Sequence, residues 1–424
     1  MSDPSLQGTL ARLDARIDWE RRDRSAGWRV DLDPIHDLLV RTGRPDRGFR
    51  ICHVAGSKGK GSVASLIAAG LRRAGRRVGV YASPHVERIH ERIALDGTPI
   101  DDAGLVRALT AALDAVEEAE RDGGAAAGAS WFDIVTAAAL CAFRDAGVDW
   151  AVLEVGLGGR LDSTNAIDPP ALAVVMTIAL EHTAILGSTL AEIAAEKGGI
   201  VKSGSRLVTG CDPDGDAGRV LAGIAREHGV PHVVAWSADD VGFERANLRV
   251  ARAALDALNE VDPDVEAALL TDDAVVAARL PGRMERLESG GVPVVLDGAH
   301  VPASVVMAMG ELSRERPGPC AVVFALHREK SATEMLKALR RGTVERLFLT
   351  TVPGSGVHLE AGELAEAAAR LGLPHEAFDA PGDALEAALG WARSRPGEGA
   401  WVFATGSLYL IGALRPGLTS PDRD

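Results

Sequence analysis

Cysteine is scarce in this chain of 424 residues, and the four present (Cys52, Cys141, Cys211 and Cys320) are scattered along it. No two stand at metal-ligand spacing, which excludes a zinc ribbon or finger, and so low a count excludes a disulfide scaffold. A reduced, cytoplasmic setting is the expectation. Long apolar runs are lacking as well. "ALAVVMTIAL" (171–180) has about half the length needed to span a bilayer, so no membrane segment is expected. The opening "MSDPSLQGTLARLDARIDWE" has no apolar centre and does not read as a signal peptide. Positive charge is in deficit: the formal net charge is -14, which argues against nucleic acid as a partner. The early arginines Arg12, Arg16, Arg21, Arg22, Arg24 and Arg29 are interleaved with acids and read as a solvated helix face. No internal repeat is visible.

What the chain does have is a series of short β-branched runs. They are "FRICHVA" (49–55), "RVGVYA" (77–82), "WAVLEVG" (150–156), "ALAVVMT" (171–177), "VPVVLDG" (292–298), "CAVVFAL" (320–326), "ERLFLTT" (345–351) and "AWVFAT" (400–405). Most are continuous rather than alternating, with helical stretches between them. That order implies an α/β fold with parallel sheets covered on both faces. "ERDGGAAAGAS" (120–130) reads as a small-residue loop. A length of 424 residues implies two domains. The change falls in "ARLPGRMERLESGG" (278–291), giving a larger domain over 1–284 and a smaller doubly wound one over 285–424.

The polar chemistry starts at "HVAGSKGKGSVAS" (53–65), between a strand and a helix over 61–74. Gly56, Gly59 and Gly61 permit backbone conformations in which several N–H groups converge, and the helix start adds partial positive charge. Lys60 can reach a terminal phosphate, Ser62 can offer its hydroxyl to Mg²⁺, and Ser57 and Lys58 complete the loop. This reads as a P-loop-type ATPase domain. Gly61 separates Lys60 from Ser62, giving G-K-G-S where the usual phosphate loop has Ser or Thr directly after Lys.

That variant resembles the loop of the folylpolyglutamate synthase/dihydrofolate synthase family, a branch of the Mur ligase superfamily. Other segments resemble the family in order: "YASPHVERIHERIALDGTPI" (81–100), "LEVGLGGRLDSTNAI" (153–167), "EHTAILGSTLAEIAAEKGGIVKSG" (181–204), "LPGRMERL" (280–287), "LDGAHVPAS" (296–304) and "ATGSLYLIG" (404–412). Together they cover nearly the whole chain. The resemblance implies a Mur-ligase-type ATP- and acceptor-binding domain, a smaller Rossmann-like glutamate ligase domain, and an active site between them.

Residue by residue, Glu154 ends a buried run where ligands of α/β folds sit; it can hold Mg²⁺ or pair with Arg160. "GLGG" (156–159) lacks the spacing of a dinucleotide fingerprint. His182 resembles the family's metal-binding histidine, although by itself it reads as a hydrogen-bonded loop residue. Glu181 stands where the family usually has Asp. Thr189 and Glu192 form a T-x-x-E capping box, and the helix they open puts Leu190, Ile193, Ala194 and Lys197 on one face. Lys197 is then a snorkelling lysine or a desolvated amine able to take up CO₂. The resemblance implies the second: a carbamylated Lys197 that organises a second Mg²⁺.

Asn247 resembles an adenine-contacting residue, with Phe243 and Glu244 where the family has His-Gln. Arg283 resembles a phosphate-binding arginine, and its bland alternative is an interdomain ion pair. Asp297 and His300 resemble residues that meet nucleotide and substrate, with Val301 in place of an Asn. Ser407 resembles a serine near the incoming amino acid. For the acceptor, Ser83, Pro84 and His85 resemble part of a pterin-site loop, and Phe132 and Asp133 a helix start nearby; Asp133 reads equally well as an N-cap. Lys330 matches the family but Ser331 replaces its aspartate, and Lys58 replaces an asparagine.

The implied activity is ATP-dependent addition of L-glutamate to dihydropteroate and/or reduced folates through an acyl phosphate. Lys60, Lys197 and His300 are the catalytic candidates, and ATP and two Mg²⁺ ions the cofactors. The expected partners are small molecules, and the enzyme is expected to be a monomer. The substitutions at Lys58, Glu181, Val301 and Ser331 leave open a Mur-type ligase acting on a non-folate acid. A non-enzymatic nucleotide-binding module is the third reading.

Overall fold

The β-branched runs become buried strands of two separate sheets, seen here in a computed structural model that describes residues 5–18, 31–240, 242–340, 342–353 and 357–419. Arg21, Arg22, Arg24 and Arg29 lie outside the described residues. The chain divides into two compact units. One runs to Asp240 and includes Glu244–Ala278; the other holds Phe243 and continues from Arg279. The sequence reading set the division at 284/285. Among the described residues no helix is long and apolar enough to cross a membrane.

In the first unit the strands are β1 (Arg50–Ala55), β2 (Val78–Tyr81), β3 (Ile93–Leu95), β4 (Thr98–Pro99), β5 (Trp150–Glu154), β6 (Leu172–Val175), β7 (Arg206–Thr209) and β8 (His232–Val234). Their order is β4-β3-β2-β5-β1-β6-β7-β8. From β2 to β8 every pairing is parallel, whereas β3 and β4 add an antiparallel edge that the sequence reading did not foresee. The helices are α1 (Leu6–Asp14), α2 (Asp33–Arg41), α3 (Lys60–Arg73), α4 (Asp102–Asp122), α5 (Trp131–Ala146), α6 (Thr183–Leu186), α7 (Leu190–Gly198), α8 (Asp216–His228), α9 (Phe243–Leu258) and α10 (Asp272–Ala277).

Adjacent strand residues point to opposite faces, and the core divides accordingly. Leu153 of β5 joins Leu109 and Leu113 of α4 and Ile134 and Phe143 of α5. Val152, its neighbour, joins Ile67 and Leu71 of α3 and Leu255 and Leu258 of α9. A strand buried on both faces has no reason to alternate, which is why the runs read as continuous. The stretch expected as a small-residue loop is mostly ordered. Helix α4 extends through Asp122, Gly123 closes it at φ +76°, and Ala125–Gly128 form a 3₁₀ turn.

The second unit has β9 (Glu285–Ser289), β10 (Val292–Leu296), β11 (Cys320–Phe324), β12 (Val344–Thr350), β13 (His375–Phe378) and β14 (Trp401–Thr405). The order is β13-β12-β11-β14-β10-β9, parallel except for β9 against β10. Helices α11 (Pro302–Glu315), α12 (Ala332–Leu339), α13 (Ala361–Arg370), α14 (Pro381–Arg393) and α15 (Leu408–Thr419) complete it. In both units the polar segments follow the C-terminal ends of parallel strands, where an open α/β sheet leaves its ligand crevice.

Candidate active site

Between the end of β1 and the start of α3, the chain turns through Gly56 at φ +145° and Gly59 at φ +82°. The turn also needs glycine for space. A Cβ on Gly56 would lie 2.5 Å from Met176 Cβ, and one on Gly59 2.3 Å from Asn247 Oδ1. Asn247 is therefore packed against the loop. No side chain caps α3, and uncapped first-turn N–H groups are the kind an anion can satisfy. Gly61 and Ser62 occupy that first turn, half-buried. The Ser57 hydroxyl donates to the Ala179 carbonyl (3.2 Å) and accepts from its N–H (3.0 Å), fastening the loop to the chain after β6.

Two lysines converge on this loop. Lys60 Nζ donates to the Gly56 carbonyl at 3.0 Å, and Lys197 Nζ to the same oxygen at 3.1 Å. Lys197 also pairs with Glu181 Oε1 at 2.9 Å. The capping box placed it here: Thr189 accepts from the Glu192 N–H and starts α7 as read from the sequence. The Lys197 side chain is only 2% exposed, so the snorkelling reading is corrected. Its ammonium ends on a buried carbonyl and carboxylate, not in water. Burial lowers its pKa to about 8, Lys60 pushes the same way, and Glu181 opposes both. Burial works to raise the Glu181 carboxyl, but Lys197, Lys60 and Lys58 outweigh it and the net shift is downward. The longer side chain at 181 thus finds a definite partner.

Glu154 is buried at the end of β5, and its Oε2 accepts from the Ser83 N–H at 3.2 Å. The Arg160 pairing considered for it is not made; Arg160 bonds Glu196 at 2.8 Å. His182 is exposed, at φ +45°, at the start of α6. Among the described residues no three His, Cys, Asp or Glu side chains gather as a metal cluster. The "GLGG" stretch has a packing role: a Cβ on Gly159 would meet the Glu196 and Lys197 carbonyls at 2.8 and 2.9 Å.

The acceptor candidates lie on the chain after β2, where Ser83 meets Glu154, and at the start of α5. His85 Nδ1 accepts from Arg92 Nε at 2.8 Å, and the Arg92 guanidinium lies 4.7 Å from the centre of the Trp131 ring. Sequence reasoning missed Arg92, a buried cation in a segment quoted for its neighbours. Phe132 covers Gly156, where a Cβ would come within 2.5 Å of its ring, and stands 5.9 Å from Tyr81. Asp133 is not the N-cap. Ser130 is, and Asp133 closes the capping box as its third helical residue, accepting from the Ser130 N–H (2.8 Å). Its other oxygen accepts from Ser163 Oγ at 2.6 Å. Below them a buried row runs from His53 Nε2 to Thr164 Oγ1 (2.8 Å) and on to Asp162. Burial lowers His53 to about 3, keeping it neutral.

In the second unit, Asp297 follows β10 and accepts from the N–H groups of Met284 (2.8 Å) and Ala299 (2.9 Å). Arg283 lies beside Gly298. His300 Nδ1 is 3.0 Å from the Gly298 carbonyl oxygen. Ser407 follows β14, and its Oγ is 2.7 Å from Nε2 of His358, a residue the sequence reading did not single out. Ser331 is the N-cap of α12, accepting from the Glu334 N–H, so the departure from the family pattern is a local helix signal.

Residues 282–408 match the family described as Mur ligase, glutamate ligase domain. The chain is 34% identical to a probable bifunctional folylpolyglutamate synthase/dihydropteroate synthase of Haloferax volcanii, covering 90% of this chain but 48% of that longer protein. It is 31% identical to the folylpolyglutamate synthase of Lacticaseibacillus casei, over 90% of this chain and 92% of the relative. Among solved structures, the Mycobacterium tuberculosis folylpolyglutamate synthase complexed with ADP superposes with a TM-score of 0.84 at 28% identity, covering all of both chains. E. coli FolC in complex with DHPP and ADP gives 0.81 at 25% identity over 97% of each.

Proposed function

Because this chain belongs to the folylpolyglutamate synthase/dihydrofolate synthase family, we propose that it is an ATP-dependent ligase joining L-glutamate to dihydropteroate or a reduced folate. The observation that carries the reading is the convergence of Lys60 and Lys197 on the Gly56 carbonyl, beside an uncapped helix start. A polyphosphate is what such a loop can hold. The substrate carboxylate attacks the γ-phosphorus and ADP leaves, giving an acyl phosphate. The amine of glutamate, having lost a proton, then attacks the acyl carbon and phosphate departs.

The chain's own residues supply position and charge. The loop N–H groups and Lys60 hold the triphosphate and offset charge as it shifts toward ADP. Asn247, against Gly59, stands for the adenine end, and Arg283 and Asp297 for the nucleotide in the second unit. Ser83, Pro84, His85, Phe132 and Asp133 receive the acceptor, and His300 and Ser407 the reacting groups. For Mg²⁺ the chemistry of the proposed donors suits a hard cation: the buried Glu154 carboxylate and the Ser62 hydroxyl would provide oxygen, and His182 a single imidazole. When bound there, Mg²⁺ supplies charge neutralisation on the phosphates. A carbamylated Lys197 belongs to the same reading and requires Glu181 to give up its present pairing. The enzyme is read as a cytoplasmic monomer.

Release of ADP tests the proposal. It should require ATP, L-glutamate and a pteroate or folate together, and mass spectrometry should find the acceptor heavier by one glutamyl residue. ADP release that is indifferent to every pteroate and folate would refute it.

A further inference from the structure

His358 is 3% exposed and held by backbone on both sides. The chain after β12 bridges the chain after β11, with Leu359 N–H donating to Leu326 O (2.9 Å) and Arg328 N–H to Val357 O (2.8 Å). The imidazole lies between two rings, His327 at 6.0 Å and Tyr409 at 5.6 Å. Burial, with His327 beside it, lowers its pKa to about 4, so it is neutral at physiological pH. Ser407 is fixed just as firmly: Gly406 N–H donates to Ala299 O at 3.0 Å, next to His300.

The hydroxyl of Ser407 has one proton and two lone pairs. One lone pair accepts from Tyr409 N–H at 3.2 Å. The 2.7 Å contact takes a second valence. In the tautomer that carries its proton on Nδ1, His358 Nε2 is the acceptor and Ser407 donates its proton to it. In that tautomer one lone pair of Oγ is left, and it can only accept.

We propose that His358 takes this tautomer and is a positioning residue for the incoming amino acid, holding the Ser407 hydroxyl so that its remaining lone pair receives an N–H of the amine. This rests on the reading of the second unit as the glutamate-binding part, in keeping with its match to a glutamate ligase domain. His358 touches no reacting atom; it acts through Ser407.

The test is a double-mutant cycle on kcat/KM for L-glutamate, using His358→Leu, Ser407→Ala and the pair. Each single variant should lose about tenfold, the worth of one directed hydrogen bond. The pair should lose no more than Ser407→Ala alone. In the His358 variant, acyl phosphate formed without glutamate and trapped by hydroxylamine should persist while the glutamate-dependent step falls. His358→Gln, which keeps an acceptor within reach, should recover part of the loss and covers the case in which His358→Leu does not fold. Additive losses, or hydroxamate formation falling in step with glutamate turnover, overturn the proposal. So does normal glutamate kinetics in Ser407→Ala. Failure of the wild-type protein to consume glutamate would instead strike at the functional reading.

Discussion

Two ammonium groups on one carbonyl oxygen repel each other, and the Glu181 carboxylate is what makes the arrangement tolerable. Lys60 and Lys197 can be separated by experiment. Lys60→Ala removes a charge proposed to act on phosphate, so turnover should fall at least about a hundredfold with little change in melting temperature, read by ADP release and a thermal melt. Normal turnover would refute its role. Glu181→Gln leaves Lys197 buried opposite no carboxylate, and urea unfolding at pH 7 should show a loss of about 3–5 kcal/mol. Lys197 also gives a pH signature. Its folded pKa, near 8, lies below the ordinary 10.5, so between these values the unfolded chain binds more protons. Stability therefore gains from this residue as pH rises through that window. Urea midpoints compared from pH 8 to pH 10 should show a rising contribution in the wild type that Lys197→Met lacks.

Helix α7 carries Lys197 to the loop, and its start depends on the Thr189–Glu192 box. Thr189→Ala should cost about 1 kcal/mol in urea unfolding, and Thr189→Ser much less. This box was legible because capping is a matter of spacing within four residues. The same local logic erred at Asp133, where Ser130 holds the cap and Asp133 completes the box. The long buried runs declared their strands, but β3, β4, β7, β8 and β13 have two to four residues each and no run to read. Side-chain partners far apart in the chain left no trace either. Glu181 with Lys197 and His358 with Ser407 are joined by the fold, and nothing near His358 marks it. The turn between β1 and α3 was legible because its glycines, lysine and flanking elements are contiguous.

At the scale of the molecule, each unit has its own core, and the grip proposed for the phosphates draws on three separated stretches of the first: the loop after β1, Glu181 with Lys197, and Asn247. A nucleotide that fills this grip binds the folded chain and not the unfolded one, so it must stabilise the fold by linkage. At a hundred times its Kd the gain is about 2.7 kcal/mol. The gain should need no folate and no glutamate. It should depend on the phosphate tail, because the groups converging on the Gly56 loop are two ammoniums and a helix start. Mg–ATP should therefore raise the urea midpoint, AMP at equal concentration should raise it much less, and Lys60→Ala should remove most of the difference between them. Equal stabilisation by AMP and ATP would mean that this loop does not hold the phosphates, whatever the chain's relatives do with theirs.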